Sequence, residues 1–366
     1  MRPSIFFPFL AAAANAILLP NPTGQFGVAV RVHAMTDSSR VDPYSPESDR
    51  HKRKLVTSVF WPVEDSSCST KHVAYMPPAT AEWYGEQASA MGLSNDTFSA
   101  LRLEPCSSGP KKRQYPLAIF SPGSGNSRLI HSAMAKSLAG EGYVVVTVDH
   151  PYDANIVEFP DGSVIESANI PEETGPLEKL TKVRAQDIAF VISQFKSASS
   201  QSSLLKGLPG QINFDRIVVW GHSLGGASSA AVMMSDSSIR AGVDLDGRFF
   251  EPVLSKGLSK PFFLLGRPNH NSEDATWAQF WKHLRGPKLE AEIAGTVHGS
   301  YTDLPLVMSA LGLSDAVKKQ LATQFGSIDP ERMSKVLTKT VSSFFKSAFA
   351  GNPKKSHRFH SIKSRV

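Results

Sequence analysis

Between residues 217 and 234 the chain passes from an apolar run, Ile217-Val218-Val219-Trp220, straight into Gly221-His222-Ser223-Leu224-Gly225-Gly226. A stretch of small residues follows and ends near Met234. The first run reads as a strand and the last as a helix. A strand that becomes a helix within a few residues needs a tight turn, and a serine at its apex projects its hydroxyl above the sheet. A Cβ at the flanking positions would collide with the neighbouring strand or helix, which accounts for the glycines. The helix N-terminus behind the serine presents unpaired N–H groups and a positive dipole end to developing negative charge. G-x-S-x-G in a strand–turn–helix context makes Ser223 the candidate nucleophile.

The rest of the chain supplies a sheet to carry that turn. Leu55 to Trp61 alternates and is β-rich, so it reads as a strand. Leu117 to Phe120 is a short apolar run ending at Ser121-Pro122-Gly123-Ser124-Gly125, and a helix is expected over about Leu129 to Gly140. Tyr143 to Val148 (YVVVTV) is a continuous run of the kind buried on both faces of a parallel sheet. Leu177 to Phe195 and Asp274 to Leu284 read as helices. Ala241 to Leu245, Phe262 to Leu265 and Leu289 to Ile293 read as strands. Residues 36–53 are polar and read as a loop, and 62–114 as short pieces. Strand and helix alternate, which argues for a mostly parallel α/β sheet with helices on both faces. A last helix, about Glu331 to Phe349, has an apolar face and a lysine face. It is expected to pack on the core rather than lie in a membrane interface.

A serine hydroxyl needs a base, and the base an orienting acid. In the serine-elbow architecture the acid and then the histidine follow the nucleophile in the chain. Five histidines follow Ser223. His357 and His360 are in the tail, His283 is inside a helix, and His270 comes too soon after its strand. His298, in the loop Gly295-Thr296-Val297-His298-Gly299 after the last strand, is the candidate base. For the acid three positions stay open. Asp246 ends a strand, and Asp244 lies two residues deeper on the same face. Asp274 follows the next strand but also fits the start of a helix, with Asn271 as its cap. The oxyanion donors are expected to be the backbone N–H groups of Leu224 and of Ser124, in the loop after an earlier strand. Asp149 after Gly123-Ser124-Gly125 imitates a dinucleotide fingerprint, but Arg128 stands where the third glycine belongs.

Composition narrows the function classes. With 41% hydrophobic and 20% charged residues the chain is neither disordered nor a polytopic membrane protein. Of the net charge of +6, five units lie in the last 13 residues and one is Arg2, so the body is neutral and offers no nucleic-acid-binding face. Residues 1–16 have a signal peptide's basic start, apolar run and small-x-small end. Secretion is therefore expected, with residues 17–350 forming a single domain and 351–366 a basic mobile tail. The two cysteines, Cys68 and Cys106, are expected to form one disulfide, worth ~4 kcal/mol in a chain-entropy picture. Asn95, in Asn-Asp-Thr, is the one glycosylation acceptor and should be on the surface.

The segments FSPGSG (120–125), VVVTVDHPYDA (144–154), EFPDG (158–162), GHSLGG (221–226), GVDLDG (242–247) and TVHGSYTDLP (296–305) together resemble the secreted, plasma-type platelet-activating factor acetylhydrolases and their fungal relatives. The resemblance runs from about Leu55 to Leu306. It implies an α/β-hydrolase fold and a secreted serine hydrolase for esters with a short acyl group, such as an acetyl phospholipid, working without metal or cofactor. It places the acid on Asp246, the base on His298 and the oxyanion donors on Ser124 and Leu224. The chain departs from the animal enzymes at Pro122, where they carry a histidine, and at Leu224, where they carry an aromatic residue. The expected partner is a small-molecule or lipid ester, met at a lipid interface where the substrate is a lipid. The alternative reading puts the same triad to acyl transfer, deacetylation or cyclisation in a biosynthetic pathway.

Overall fold

The alternating apolar runs build a nine-stranded sheet. The computed structural model describes residues 16–20, 24–63, 72–106, 113–206, 208–351 and 357–359. In chain order the strands are β1 (Gly27–Val41), β2 (Lys52–Val63), β3 (Gln114–Ser121), β4 (Val144–Asp149), β5 (Gln211–His222), β6 (Ile239–Leu245), β7 (Phe262–Gly266), β8 (Lys288–Glu292) and β9 (His357–Phe359). Their order across the sheet is β9-β8-β7-β6-β5-β3-β4-β2-β1. All neighbours are parallel except β1 with β2 and β2 with β4. This is the α/β-hydrolase fold expected from the sequence.

Period-2 alternation explains why the central strands read as unbroken apolar runs. Val144, Val146, Val148, Ile217 and Val219 face one core. Val145, Val218 and Trp220 face the other. Each face is covered by helices. On the first lie α3 (Thr174–Lys196) and α4 (Leu224–Ser235), and on the second α2 (Ser132–Gly140) and α8 (Pro330–Phe349). Further helices include α1 (Pro78–Ala90), α5 (Ala275–His283), α6 (Leu304–Ala310) and α7 (Asp315–Phe325). Helix α8 buries Met333, Leu337, Val341, Phe344 and Phe345 against the sheet and exposes Lys335, Lys339 and Lys346. Its apolar face is thus taken by the core, as expected. Among the described residues no helix is long and apolar enough to cross a membrane.

Four expectations need correction. Residues 36–41 are not loop. They continue β1, where Thr36, Ser38 and Ser39 are exposed because β1 is the sheet's antiparallel edge. The stretch 62–114 holds the 13-residue helix α1, hidden from a periodicity search by its mixed small and aromatic residues. The 11-residue helix α7 was not foreseen either. Within the tail expected to be mobile, residues 357–359 pair with 289–291 as a parallel edge strand. Residues 1–15 and Cys68 lie outside the described residues. Cys106 is not a free thiol.

From β3 the chain steps outward to β4, then crosses to β5 on the other side of β3 and runs in the opposite direction through β6 and β7 to β8. The loops after β3 and β5 therefore diverge, and a crevice opens at the carboxyl ends of those two strands. Ligands in open α/β sheets bind at such a switch point. Helix α4 can begin there only by lying almost on β3. A Cβ on Gly225 would sit 1.9 Å from the Ser121 carbonyl oxygen, and one on Gly221 2.3 Å from the backbone of Gly225. We expect Gly225→Ala to lower unfolding free energy by about 1–3 kcal/mol, the usual cost of forced overpacking. Gly175→Ala, where a Cβ meets nothing within 4 Å, should change it little. Urea denaturation of the two variants compares them, and equal stabilities would refute the packing argument.

Candidate active site

Ser223 occupies the turn between β5 and α4 with φ 55° and ψ −124°, a left-handed conformation costly for a residue with a Cβ. The turn persists because both ends are tied. The Ser223 N–H donates to the Leu245 carbonyl at 2.9 Å, extending the β5–β6 ladder, and the Ser223 carbonyl accepts from Gly226 N–H at 2.9 Å. Leu224 opens the helix, where the first N–H groups have no intrahelical partner.

Asp246 sits one residue beyond β6 in the same kind of turn, with φ 57°, and its N–H donates to the Leu265 carbonyl of β7 at 2.9 Å. Its buried carboxylate is shared. Oδ2 accepts from His298 Nδ1 at 2.7 Å, while Oδ1 accepts from His270 Nδ1 at 2.8 Å and from Arg267 N–H at 2.9 Å. Burial alone would raise its pKa, but the donors from His270 and His298 override that and hold it well below the usual carboxylate range. A carboxylate accepting at Nδ1 fixes the proton there and leaves His298 Nε2 as the unprotonated nitrogen. The His298 ring is half exposed, with 52% of the side chain accessible. Its backbone carbonyl accepts from His222 Nε2 at 3.1 Å, and the two rings lie 4.5 Å apart. The next turn is anchored by Val297 N–H donating to Ser300 Oγ at 2.9 Å. Burial keeps the His222 pKa well below its ordinary value, so this ring stays neutral.

The loop after β3 faces this group across a cavity of about 550 Å³. Gly123, Ser124, His222, Ser223, Leu224 and His298 all line it, with Glu172 and Arg248 among the polar residues around them. Every site residue expected from the sequence is thus at one place: Ser223, Leu224, Ser124 and His298 in the cavity wall, and Asp246 behind His298.

The two other acids weighed from the sequence lie elsewhere. Asp244 is fully buried, and that burial pushes its pKa well above the ordinary carboxylate value; its Oδ2 accepts from Gly247 N–H at 3.1 Å. Asp274 is itself the cap of α5, accepting from Thr276 N–H at 2.9 Å, whereas the sequence suggested Asn271 for that place. Its other oxygen is 3.5 Å from His270 Nε2. Asp149, the acid of the false dinucleotide fingerprint, accepts from Arg128 N–H and Ser127 Oγ and pairs with the Arg128 guanidinium. Sequence reasoning missed His270. It was set aside as a base for following β7 too soon, but that position puts it against the carboxylate. Asn95 is exposed in a turn, as its glycosylation motif requires.

A family model described as platelet-activating factor acetylhydrolase, isoform II, matches residues 48–160 and 176–357. Among known proteins, a probable 1-alkyl-2-acetylglycerophosphocholine esterase of Arthroderma benhamiae is 29% identical over 375 residues, covering 93% of this chain and 92% of that protein. The platelet-activating factor acetylhydrolase of Cavia porcellus is 27% identical over 66% of this chain and 58% of its own length. That of Bos taurus is 26% identical over 54% of this chain and 50% of its own length. The chain thus spans only half to three fifths of these animal relatives. Among solved structures, a ferulic acid esterase from Streptomyces cinnamoneus superposes with a TM-score of 0.75 at 28% identity, over 93% of this chain and 95% of that one.

The second histidine gives a pH-dependent stability. Burial would lower the His270 pKa, but the hydrogen bond to Asp246 and the neighbouring Asp274 carboxylate outweigh it and raise it to about 9. A raised folded-state pKa stabilises fully below the unfolded value and loses its effect as pH climbs through the folded one. The stability difference between the wild type and His270→Gln should therefore be largest near pH 6, about 3 kcal/mol at most. It should shrink as pH rises from about 6.5 to 9. Urea unfolding at several pH values measures it, and a difference independent of pH would refute a charged His270.

Proposed function

The chain belongs to the platelet-activating factor acetylhydrolase, isoform II, family, and from that premise we propose that it is a secreted serine hydrolase that cleaves short-acyl carboxylic esters through a Ser223–His298–Asp246 triad. It is a carboxylic ester hydrolase, as its relatives and its structural neighbour are named. The observation that carries the mechanism is the strained turn presenting Ser223 to a cavity shared with His298, whose Nδ1 is held by Asp246 at 2.7 Å.

In the proposed reaction Ser223 Oγ attacks the ester carbonyl carbon while His298 Nε2 takes the hydroxyl proton. Asp246 stabilises the imidazolium that forms and does not itself gain the proton. The carbonyl oxygen becomes an oxyanion between the N–H groups of Leu224 and Ser124. Removing one such donor typically costs about a hundred- to thousandfold in turnover. Collapse expels the alcohol, which receives its proton from His298, and leaves an acyl-enzyme. Water, deprotonated by the same histidine, then releases the acid and restores the serine.

The short acyl group comes from the naming of the relatives as esterases of an acetylated glycerophosphocholine. Secretion is supported by the leader-like residues 1–16. Within the same proposal residues 17–350 act as one catalytic domain, and Cys106 pairs with Cys68.

Four measurements test this reading. Ser223→Ala should lower p-nitrophenyl acetate turnover by about a millionfold and abolish fluorophosphonate labelling with the fold intact, and labelling that persists would refute the nucleophile. Asp246→Asn should lose about 10⁴-fold in turnover, while Asp274→Asn stays within a few-fold of wild type; the reverse ranking would move the acid. Rates from acetyl to palmitoyl esters should fall with chain length, and a palmitoyl preference would overturn the substrate class. Peptide mass spectrometry of unreduced secreted protein should find Cys68 joined to Cys106, and two alkylated thiols would disprove the bridge.

A further inference from the structure

We propose that Arg184 is a positioning residue for the oxyanion loop: by pinning two consecutive carbonyls it turns the Ser124 N–H into the cavity. The proposal rests on the reading of Ser124 as an oxyanion donor.

Arg184 belongs to helix α3, is fully buried, and takes no part in the proton transfers described above. Its Nη1 donates to the Pro122 carbonyl and its Nη2 to the Gly123 carbonyl, the latter at 3.0 Å. Its Nε pairs with Asp153. Asp153 in turn accepts from Gly125 N–H at 3.3 Å, and the Gly125 carbonyl accepts from Asn155 N–H at 2.8 Å. The loop is therefore held at residues 122, 123 and 125 from its inner side. A peptide unit is planar and trans, so its C=O and N–H point in opposite directions. With the Gly123 oxygen drawn to the guanidinium, the Ser124 N–H of the same plane is turned away from it. Gly123 and Ser124 line the cavity on that other side.

Only a planar fork can do this. Two carbonyls and a carboxylate require three N–H directions in one plane, which Arg offers and an ammonium does not. The guanidinium is itself braced, because Nη1 lies 3.5 Å from Ser121 Oγ, which is 2.9 Å from His150 Nε2. His150 Nδ1 donates to Asp187 at 2.9 Å, and Asp187 is held by Arg53 and Arg40. Burial keeps His150 below its ordinary pKa, so it relays a neutral hydrogen bond rather than a charge. The chain of contacts runs from the β1–β2 end of the sheet to the oxyanion loop.

The experiment compares wild type, Arg184→Lys and Arg184→Ala on p-nitrophenyl acetate, together with the affinity of a trifluoromethyl ketone, whose serine adduct carries an oxyanion. Thermal melting identifies the folded variants. Ketone inhibition of wild type that Ser223→Ala abolishes tests the serine reading separately, and its failure would remove that reading and this proposal together. For Arg184→Lys we expect KM within about twofold, with kcat and ketone affinity falling in parallel by about ten- to a hundredfold. Ethylguanidinium should restore kcat to Arg184→Ala, and ethylammonium should not. Wild-type kcat in Arg184→Lys would overturn the proposal. So would equal rescue by both cations, or a loss of kcat with ketone affinity intact.

Discussion

The structure depends on the near-contact between the first turn of α4 and the end of β3. A helix so close to β3 that a Cβ at Gly225 would sit 1.9 Å from the Ser121 carbonyl oxygen can start only where the strand before it has ended abruptly, and this forces Ser223 into its left-handed turn. The sheet ladder then sets the rest by register. His222 pairs with Leu245, so the residues one beyond each strand, Ser223 and Asp246, are neighbours in adjacent turns. Both have positive φ, and each is anchored by its N–H to the next strand over. The spacing between the proposed nucleophile and acid is thus a property of parallel strand pairing rather than of either loop.

Around this frame, charge is buried in linked sets. Removing a carboxylate or guanidinium from water costs several kcal/mol unless its hydrogen-bonding sites are filled. Asp187 is a case in point: burial alone would raise its pKa, but Arg53 and His150 hold it well below the normal range. Arg53 gains its own compensation from Asp187 and Asp42, which keep its pKa above the ordinary value against burial. One set, Asp246 with His270, His298 and Arg267, lies behind the base. The other, Arg184 with Asp153, lies behind the oxyanion loop. Both meet the reacting groups through backbone or imidazole, so neither exposes a buried charge to the substrate carbonyl.

The strand–turn–helix at Ser223 was legible because it is a local constraint: glycines, a β-branched run and small residues are adjacent in sequence. The positions of His298 and Ser124 followed because each lies just after a strand whose apolar run is unmistakable. What escaped detection was non-local. His270 is unremarkable in sequence, and only the β6–β7 pairing brings it to Asp246. Arg184 and Asp187 read as the polar positions of an amphipathic helix, yet both are fully buried, because their partners lie between 31 and 147 residues away in the chain. Edge strand β1 was read as loop from residue 36 because half of its side chains meet water. Asp246 against Asp244 and Asp274 could not be decided from position alone, and the family resemblance favoured the one that the structure places beside His298.

The site also divides mechanically. Asp246 keeps two donors, His270 and the Arg267 N–H, that do not depend on the base. Ser223 and Asp246 are locked by strand ladders. His298 by contrast is half exposed, and among the described contacts its ring is held through one hydrogen bond, to Asp246. In the proposed reaction a side chain so held can rotate between the serine and the leaving alcohol without disturbing Asp246, which is what a base that must later act as an acid requires. Were the carboxylate held by His298 alone, each such movement would uncover a buried charge. The second histidine makes that movement inexpensive: with His270 and the Arg267 amide still bound, the acid remains satisfied whichever way the base turns.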